Sequence, residues 1–89
     1  MSKYELRFSD KASKNLKKLD KHQAKLIRDW LYINVDGTED PYSHGKGLTS
    51  NLSGLLWRYR VGDYRVICEI EDDILIVTVI NIGHRKQIY

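Results

Sequence analysis

The stretch Leu55-Leu56-Trp57-Arg58-Tyr59-Arg60-Val61-Gly62-Asp63-Tyr64-Arg65-Val66 decides how this chain folds. Successive residues of a strand point to opposite faces, so Trp57, Tyr59 and Val61 share one face and Arg58 and Arg60 the other. Gly62-Asp63 is a glycine-led pair of the kind that closes a two-residue hairpin. That turn sets Val61 against Tyr64, and therefore Arg60 against Arg65. Like charges directly opposite one another destabilise a sheet by about 0.2–1 kcal/mol. A small protein that carries this cost points to an anion on that face, and phosphate is the obvious one.

Working outward, the C-terminal half reads as three strands, about 55–61, 64–71 and 74–82. Asp72-Asp73 makes the second turn. The last strand, Ile74 to Ile82, is apolar on both faces, which suits an interior position. On the N-terminal side, residues 3–8 alternate polar with apolar (Tyr4, Leu6, Phe8) and read as a half-buried strand. Ser9 or Asp10 then caps a helix to about Leu19, with Ala12, Leu16 and Leu19 on its buried stripe. Asp20 followed by Gln23 resembles a capping box and opens a second helix to about Val35. That helix carries Ala24, Ile27, Leu31 and part of Trp30 inward, and Asp36-Gly37 ends it. The lysines at 11, 14, 17, 18, 21 and 25 mostly face outward, as a solvated surface that would also suit phosphate contacts. Residues 38–54 read as irregular, pinned by Leu48 and Leu52. Within them Gly45-Lys46-Gly47 lacks the spacing and the Lys-Ser/Thr ending of a nucleotide-triphosphate loop.

The expected architecture is α+β, β-α-α-β-β-β: an antiparallel-rich four-stranded sheet with two N-terminal helices on one face and the arginine face open. At 89 residues the chain, 1–89, makes one domain. The single cysteine, Cys68, excludes an internal disulfide framework and reads as a small buried hydrophobe of a reducing cytoplasm. There is no apolar run of membrane-spanning length, so no membrane is expected as a partner. The net charge of +3 favours nucleic acid or an acidic protein.

If Glu71 pairs with Ile74, Arg65 lies beside Ile80 and the last strand runs past the tip of the first hairpin. Gly83-His84-Arg85-Lys86 then emerges beside Arg60 and Arg65, with Tyr89 within reach. Arginine does not release its proton at ordinary pH, so these residues bind phosphate and stabilise charge rather than act as bases. His84 alone has an ordinary pKa suited to proton transfer near neutrality. The set fits cleavage of an RNA phosphodiester by its own 2′-hydroxyl, with neither metal nor cofactor. His22, His44 and His84 are scattered and form no ligand spacing. Edge protection by Arg-x-Arg and a solvated basic tail account for the same residues. Taken alone, the residues favour an anion- or protein-binding surface over catalysis.

The blocks Gly45-Lys46-Gly47-Leu48, Asn51-Leu52-Ser53-Gly54-Leu55, Trp57 to Val66 and Ile82-Gly83-His84-Arg85-Lys86 with Tyr89 resemble the RelE branch of the RelE/ParE toxin superfamily over essentially the whole chain. The resemblance implies the toxin of a type II toxin–antitoxin pair, a ribosome-dependent endoribonuclease that cuts the mRNA codon in the A site. Its partners would be a cognate antitoxin, RelB-like or other, the ribosome with its message, and operator DNA only through the antitoxin. By position, Arg65 matches the family's phosphate-binding arginine. Arg85 matches the arginine that stabilises the transition state or leaving group, and Tyr89 the tyrosine that stacks on the substrate. Arg58 and Arg60 stand where the namesake toxin has lysines, and no glutamate is aligned as a base, which leaves His84 as the acid/base candidate. Arg58 and Arg60 would complete the phosphate cage, and Lys46 with the helix lysines would touch ribosomal RNA. Two alternatives stay open: a ParE-like, non-enzymatic inhibitor of DNA gyrase, and a decayed toxin that only binds its antitoxin.

Overall fold

A computed structural model of the chain describes residues 3–50 and 55–84. The elements run β1 (Glu5–Phe8), α1 (Asp10–Lys18), α2 (Lys21–Asn34), a 3₁₀ turn (Pro41–Ser43), β2 (Lys46–Ser50), β3 (Leu55–Val61), β4 (Tyr64–Glu71) and β5 (Ile76–His84). Both helices begin where side chains can satisfy their orphan amides. Ser9 Oγ accepts from Ala12 N at 3.1 Å, and Asp20 Oδ1 accepts from His22 N and Gln23 N at 2.9 and 3.1 Å. Ala12 and Leu16 of α1 and Ala24, Ile27 and Leu31 of α2 are buried, as their spacing requires. After α2 the chain turns through Gly37 at φ +76° and lies against the start of the first strand, with Gly37 N donating to Tyr4 O and Tyr4 N to Thr38 O.

The sheet has five strands in the order β1-β5-β4-β3-β2, with β1 parallel to β5 and every other pair antiparallel. This corrects the expected four. The added strand is β2, drawn from residues that read as irregular because two glycines hide any alternation. It forms by pairing with the edge of β3, with a shift of register between Gly47 and Thr49. The interior position of β5, between β1 and β4, is as its two apolar faces demanded.

The register of β5 also differs from expectation. Glu71 pairs with Ile76 rather than Ile74, because the turn runs on to Leu75, a non-glycine residue at φ +57°. A bulge follows: Ile67 pairs with Asn81 while its neighbour Cys68 pairs with Val79, which leaves Ile80 as the extra residue. Helix α1 locks this bulge in place. Ser9 Oγ donates to Ile80 O at 3.3 Å, and Asn15 Oδ1 accepts from Ile82 N at 3.0 Å. Arg65 therefore lies opposite Gly83, not Ile80. One extra residue exchanges the faces of everything after it.

The core lies between the helices and one face of the sheet. Tyr59, Val61, Val66, Cys68, Ile70, Val77, Val79 and Ile82 meet Ala12, Leu16, Ala24, Ile27, Leu31 and Val35 there. Cys68 is fully buried, and burial pushes its thiol well above the ordinary range, so it packs as a hydrophobe. Among the described residues no helix is long and apolar enough to cross a membrane.

Candidate nucleic-acid interface

The hairpin forms as its sequence requires. Val61 pairs with Tyr64 and Arg60 with Arg65, and Gly62 alone in the loop has a positive φ, +59°. Positive φ at only the first central residue is the mark of a type II′ turn. Below this tip Arg58 pairs with Ile67, which in turn pairs with Asn81. Lys46 of β2 comes directly opposite Arg58. Lys46, Arg58, Arg60 and Arg65 thus gather at one end of the open face. Arg60 and Lys46 are exposed, whereas Arg58 and Arg65 are half-buried. Ile67, buried, gives this end an apolar floor, and Gly83 beside Arg65 adds no side chain.

The position of Lys46 depends on the segment before it. Tyr59 Oη donates to Pro41 O at 2.6 Å, and Trp57 Nε1 donates to His44 O at 2.7 Å. The rings of Tyr42 and Trp57 meet edge to face at 4.9 Å. Gly45, at φ +81°, passes so close that a Cβ there would lie 2.2 Å from Arg58 O. Gly47 lies under Trp57, where a Cβ would meet the ring at 3.2 Å. The Gly-Lys-Gly stretch is therefore a close backbone approach that delivers Lys46 to the arginines. A lysine flanked by glycines just before a Trp-Arg-x-Arg strand was the signal for this pairing, and alternation alone could not show it.

The same face changes sign toward its other end. Glu69 and Glu71 lie on β4 at the same parity as Arg65, and Glu71 and Glu5 both flank Ile76. Asp72 and Asp73 follow in the turn. Asp72 also joins three elements: one of its oxygens accepts from Tyr4 Oη at 2.7 Å and from Tyr42 Oη at 2.6 Å. The hydrogen bond to Asp72, reinforced by burial, pushes the Tyr4 phenol up to about 12, and burial with the same carboxylate raises Tyr42 further. Burial raises Tyr59 likewise.

His84 does not join the arginines. It pairs with Tyr64, hence lies at the parity of Val61, on the helix side of the sheet. Its ring meets that of Tyr64 edge to face at 5.7 Å, in a cleft of about 320 Å³ also lined by Asn15, Lys18 and Leu19. The convergence expected of one imidazole and the cations on a single face is corrected, and the β5 bulge is the cause. Arg85 and Tyr89 lie outside the described residues. Among the described residues no group of three His, Cys, Asp or Glu side chains could hold a metal ion. The arrangement can bind phosphate groups and stabilise negative charge over an apolar floor.

The chain and its fold have relatives. The family model for the ParE toxin of the type II toxin–antitoxin system parDE matches residues 6–89. Toxin RelG of Mycobacterium tuberculosis (strain ATCC 25618 / H37Rv) is 29% identical over 86 residues, covering 97% of this chain and 95% of that protein. Among solved structures, the RelBE2 toxin–antitoxin complex of Mycobacterium tuberculosis has a chain 27% identical with a TM-score of 0.79, over 96% of this chain and 94% of its own. The archaeal RelE–RelB complex from Pyrococcus horikoshii OT3, at 22% identity and TM-score 0.72 over 96% of this chain and 98% of its own, shares the fold.

Proposed function

The chain belongs to the ParE toxin family of type II toxin–antitoxin systems, within the RelE/ParE superfamily, and from that premise we propose that it is a metal-independent endoribonuclease which cuts mRNA in the ribosomal A site. The observation that carries this reading is the paired cationic end of the open face, Lys46 against Arg58 and Arg60 against Arg65. Two adjacent like-charged pairs over an apolar floor are suited to the phosphates of a nucleic-acid strand. In the reaction the 2′-oxygen attacks the neighbouring phosphorus, the bond to the 5′-oxygen breaks, and a 2′,3′-cyclic phosphate and a 5′-hydroxyl result. Arg65 and Arg60 hold the non-bridging oxygens as charge builds on them. Arg85 stabilises the leaving oxygen and Tyr89 stacks on the base, as their positions in the family pattern imply.

Among the described residues, the arginine end of the open face carries neither a histidine nor a carboxylate. The toxin therefore supplies charge stabilisation and position, while the ribosome aligns the message for in-line attack. His84, round the end of the sheet, acts there only if the message bends over that end. A cognate antitoxin silences the toxin by covering this surface, and the relatives crystallised with RelB partners support such a partner.

One observation favours a second reading: the matching family model is that of the ParE toxin, so gyrase inhibition without catalysis stays in contention. Fold does not separate the two. Inducible expression of the wild type and of Arg60→Ala/Arg65→Ala, with mapping of transcript 5′ ends, does. In-frame cuts within codons, lost in the double variant, are the expected result. Growth arrest with intact messages and a DNA-damage response would replace the nuclease with the gyrase inhibitor, and accumulation of the protein without arrest would mark a decayed toxin.

A further inference from the structure

The bulge in β5 acts on the open face as well as on His84. In a regular strand Val79 and Ile82 could not both face the helices, because they are three residues apart. Both are nevertheless buried in the core. The extra residue makes this possible, and it leaves Ile80 and Asn81 together on the open face, across from Ile67. Without it Asn81 would take the core position that Ile82 holds. Asparagine is depleted in strands, and Thr78 and Asn81 alone are polar between Ile74 and Ile82. Asn15 and Asn34 serve the backbone, accepting from Ile82 N and donating to Trp30 O. Asn81 is half-buried, and among the described residues its side-chain amide has no hydrogen-bond partner. Bulges re-aim side chains beside functional sites, and here the side chain re-aimed is that amide.

We infer that Asn81 is a specificity-determining residue, whose amide reads the edge of one unpaired nucleobase of the message. This rests on the nuclease reading above and deepens it from where the strand is held to which base is accepted. The surroundings of Asn81 suit a base rather than a phosphate. Ile67 and Ile80 beside it are apolar and give the flat face of a base a surface. Gly83, two residues on and opposite Arg65, places no side chain between Asn81 and the cationic end. Two strand residues span about 7 Å, so a nucleotide held at that end by its phosphate brings its base to Asn81. Glu69 stands on the other side, two residues beyond Ile67 and opposite Thr78, where its carboxylate repels a phosphate but not a neutral base. An asparagine amide presents a donor and an acceptor side by side, and adenine presents the complementary acceptor and donor on an edge that single-stranded RNA leaves open. Adenine is the expected base. Ser9 and Asn15 are positioning residues for this reader, because their bonds to Ile80 O and Ile82 N hold the chain on both sides of Asn81.

The test maps transcript 5′ ends after induction of the wild type, Asn81→Ala and Asn81→Asp, and scores cuts by the base at each codon position. Aspartate keeps the shape of the side chain and loses its donor. The wild type should favour adenine at one codon position. Both variants should lose about tenfold of that preference, the scale of one bidentate base contact, while the preferences at the other two positions stay as they were. A residue that only shaped the strand would change cutting at all codons alike, so the ratio between codons separates reading from structure. Should Asn81→Asp fail to accumulate, Asn81→Ser gives the same comparison. Cuts by the wild type without a preference for adenine, a preference unchanged in the variants, or a uniform loss at all codons would overturn Asn81 as the reader and leave the nuclease standing. Intact messages with the wild type would overturn the nuclease reading and this inference with it.

Discussion

The two faces of the sheet obey opposite rules. On the helix face, register places like with like: Tyr59 beside Val66, Cys68 beside Val79, Ile70 beside Val77, all buried. Each of those neighbours stabilises the fold. On the open face the register places Arg60 beside Arg65 and Lys46 beside Arg58, like charges whose mutual repulsion opposes folding. A residue kept for packing and a residue kept for a ligand are thereby distinguished by the sign of their effect on stability, and substitutions can test that distinction.

The largest change is expected in the core. Ile27→Ala, at a fully buried position of α2, should lose about 2–5 kcal/mol of unfolding free energy in denaturant titration. A loss near zero would mean that the helices do not pack on the sheet as described. On the open face Arg65→Ala should lower the rate of message cleavage about 10²–10³-fold, the scale of one transition-state donor, with a loss of stability well below that of Ile27→Ala. Equal losses of rate and of stability would erase the contrast between the faces.

Tyr59→Phe should cost about 1–3 kcal/mol, because it leaves the Pro41 carbonyl without its buried donor, 2.6 Å away. Since the same contact holds the segment that delivers Lys46, this variant should also weaken binding at the Lys46–Arg58 pair. Tyr4 adds a pH dependence. Its folded pKa is raised from 10.0 to about 12, so its contribution to stability is complete below pH 10 and is lost as pH rises through about 12. In Tyr4→Phe the alkaline fall in melting temperature across that window should be shallower. It should not vanish, because Tyr42 donates to the same Asp72 oxygen. The smallest effect has the opposite sign: Arg60→Thr should raise stability by about 0.2–1 kcal/mol while impairing cleavage. A fall in stability would show that Arg60 is held by contacts that outweigh its repulsion with Arg65.

Much of this was legible in the chain. The helix caps at Ser9 and Asp20, the buried stripe through Ile27 and Leu31, and the pairing of Arg60 with Arg65 across Gly62-Asp63 all depend on neighbours within a turn or a hairpin, where sequence spacing fixes geometry. Lys46 was expected to contact a ligand, but its strand was not foreseen, because Gly45 and Gly47 carry no alternation.

What the sequence determined by itself, then, is everything that local periodicity and a two-residue turn can specify: the two helices, four of the five strands, the core stripes, the charged face and its likeness to a toxin family. Tertiary structure alone decided which residues beyond the hairpin share that face. The β2 strand exists because the aromatic anchor of Trp57 and Tyr42 holds a glycine-lined backbone against β3. His84 turned to the helix side because Ser9 and Asn15, far away in the chain, satisfy the backbone groups of a single-residue bulge. The side-chain period of a strand is two, so one inserted residue reverses the outcome, and hydrogen bonds from another element determine whether it is inserted.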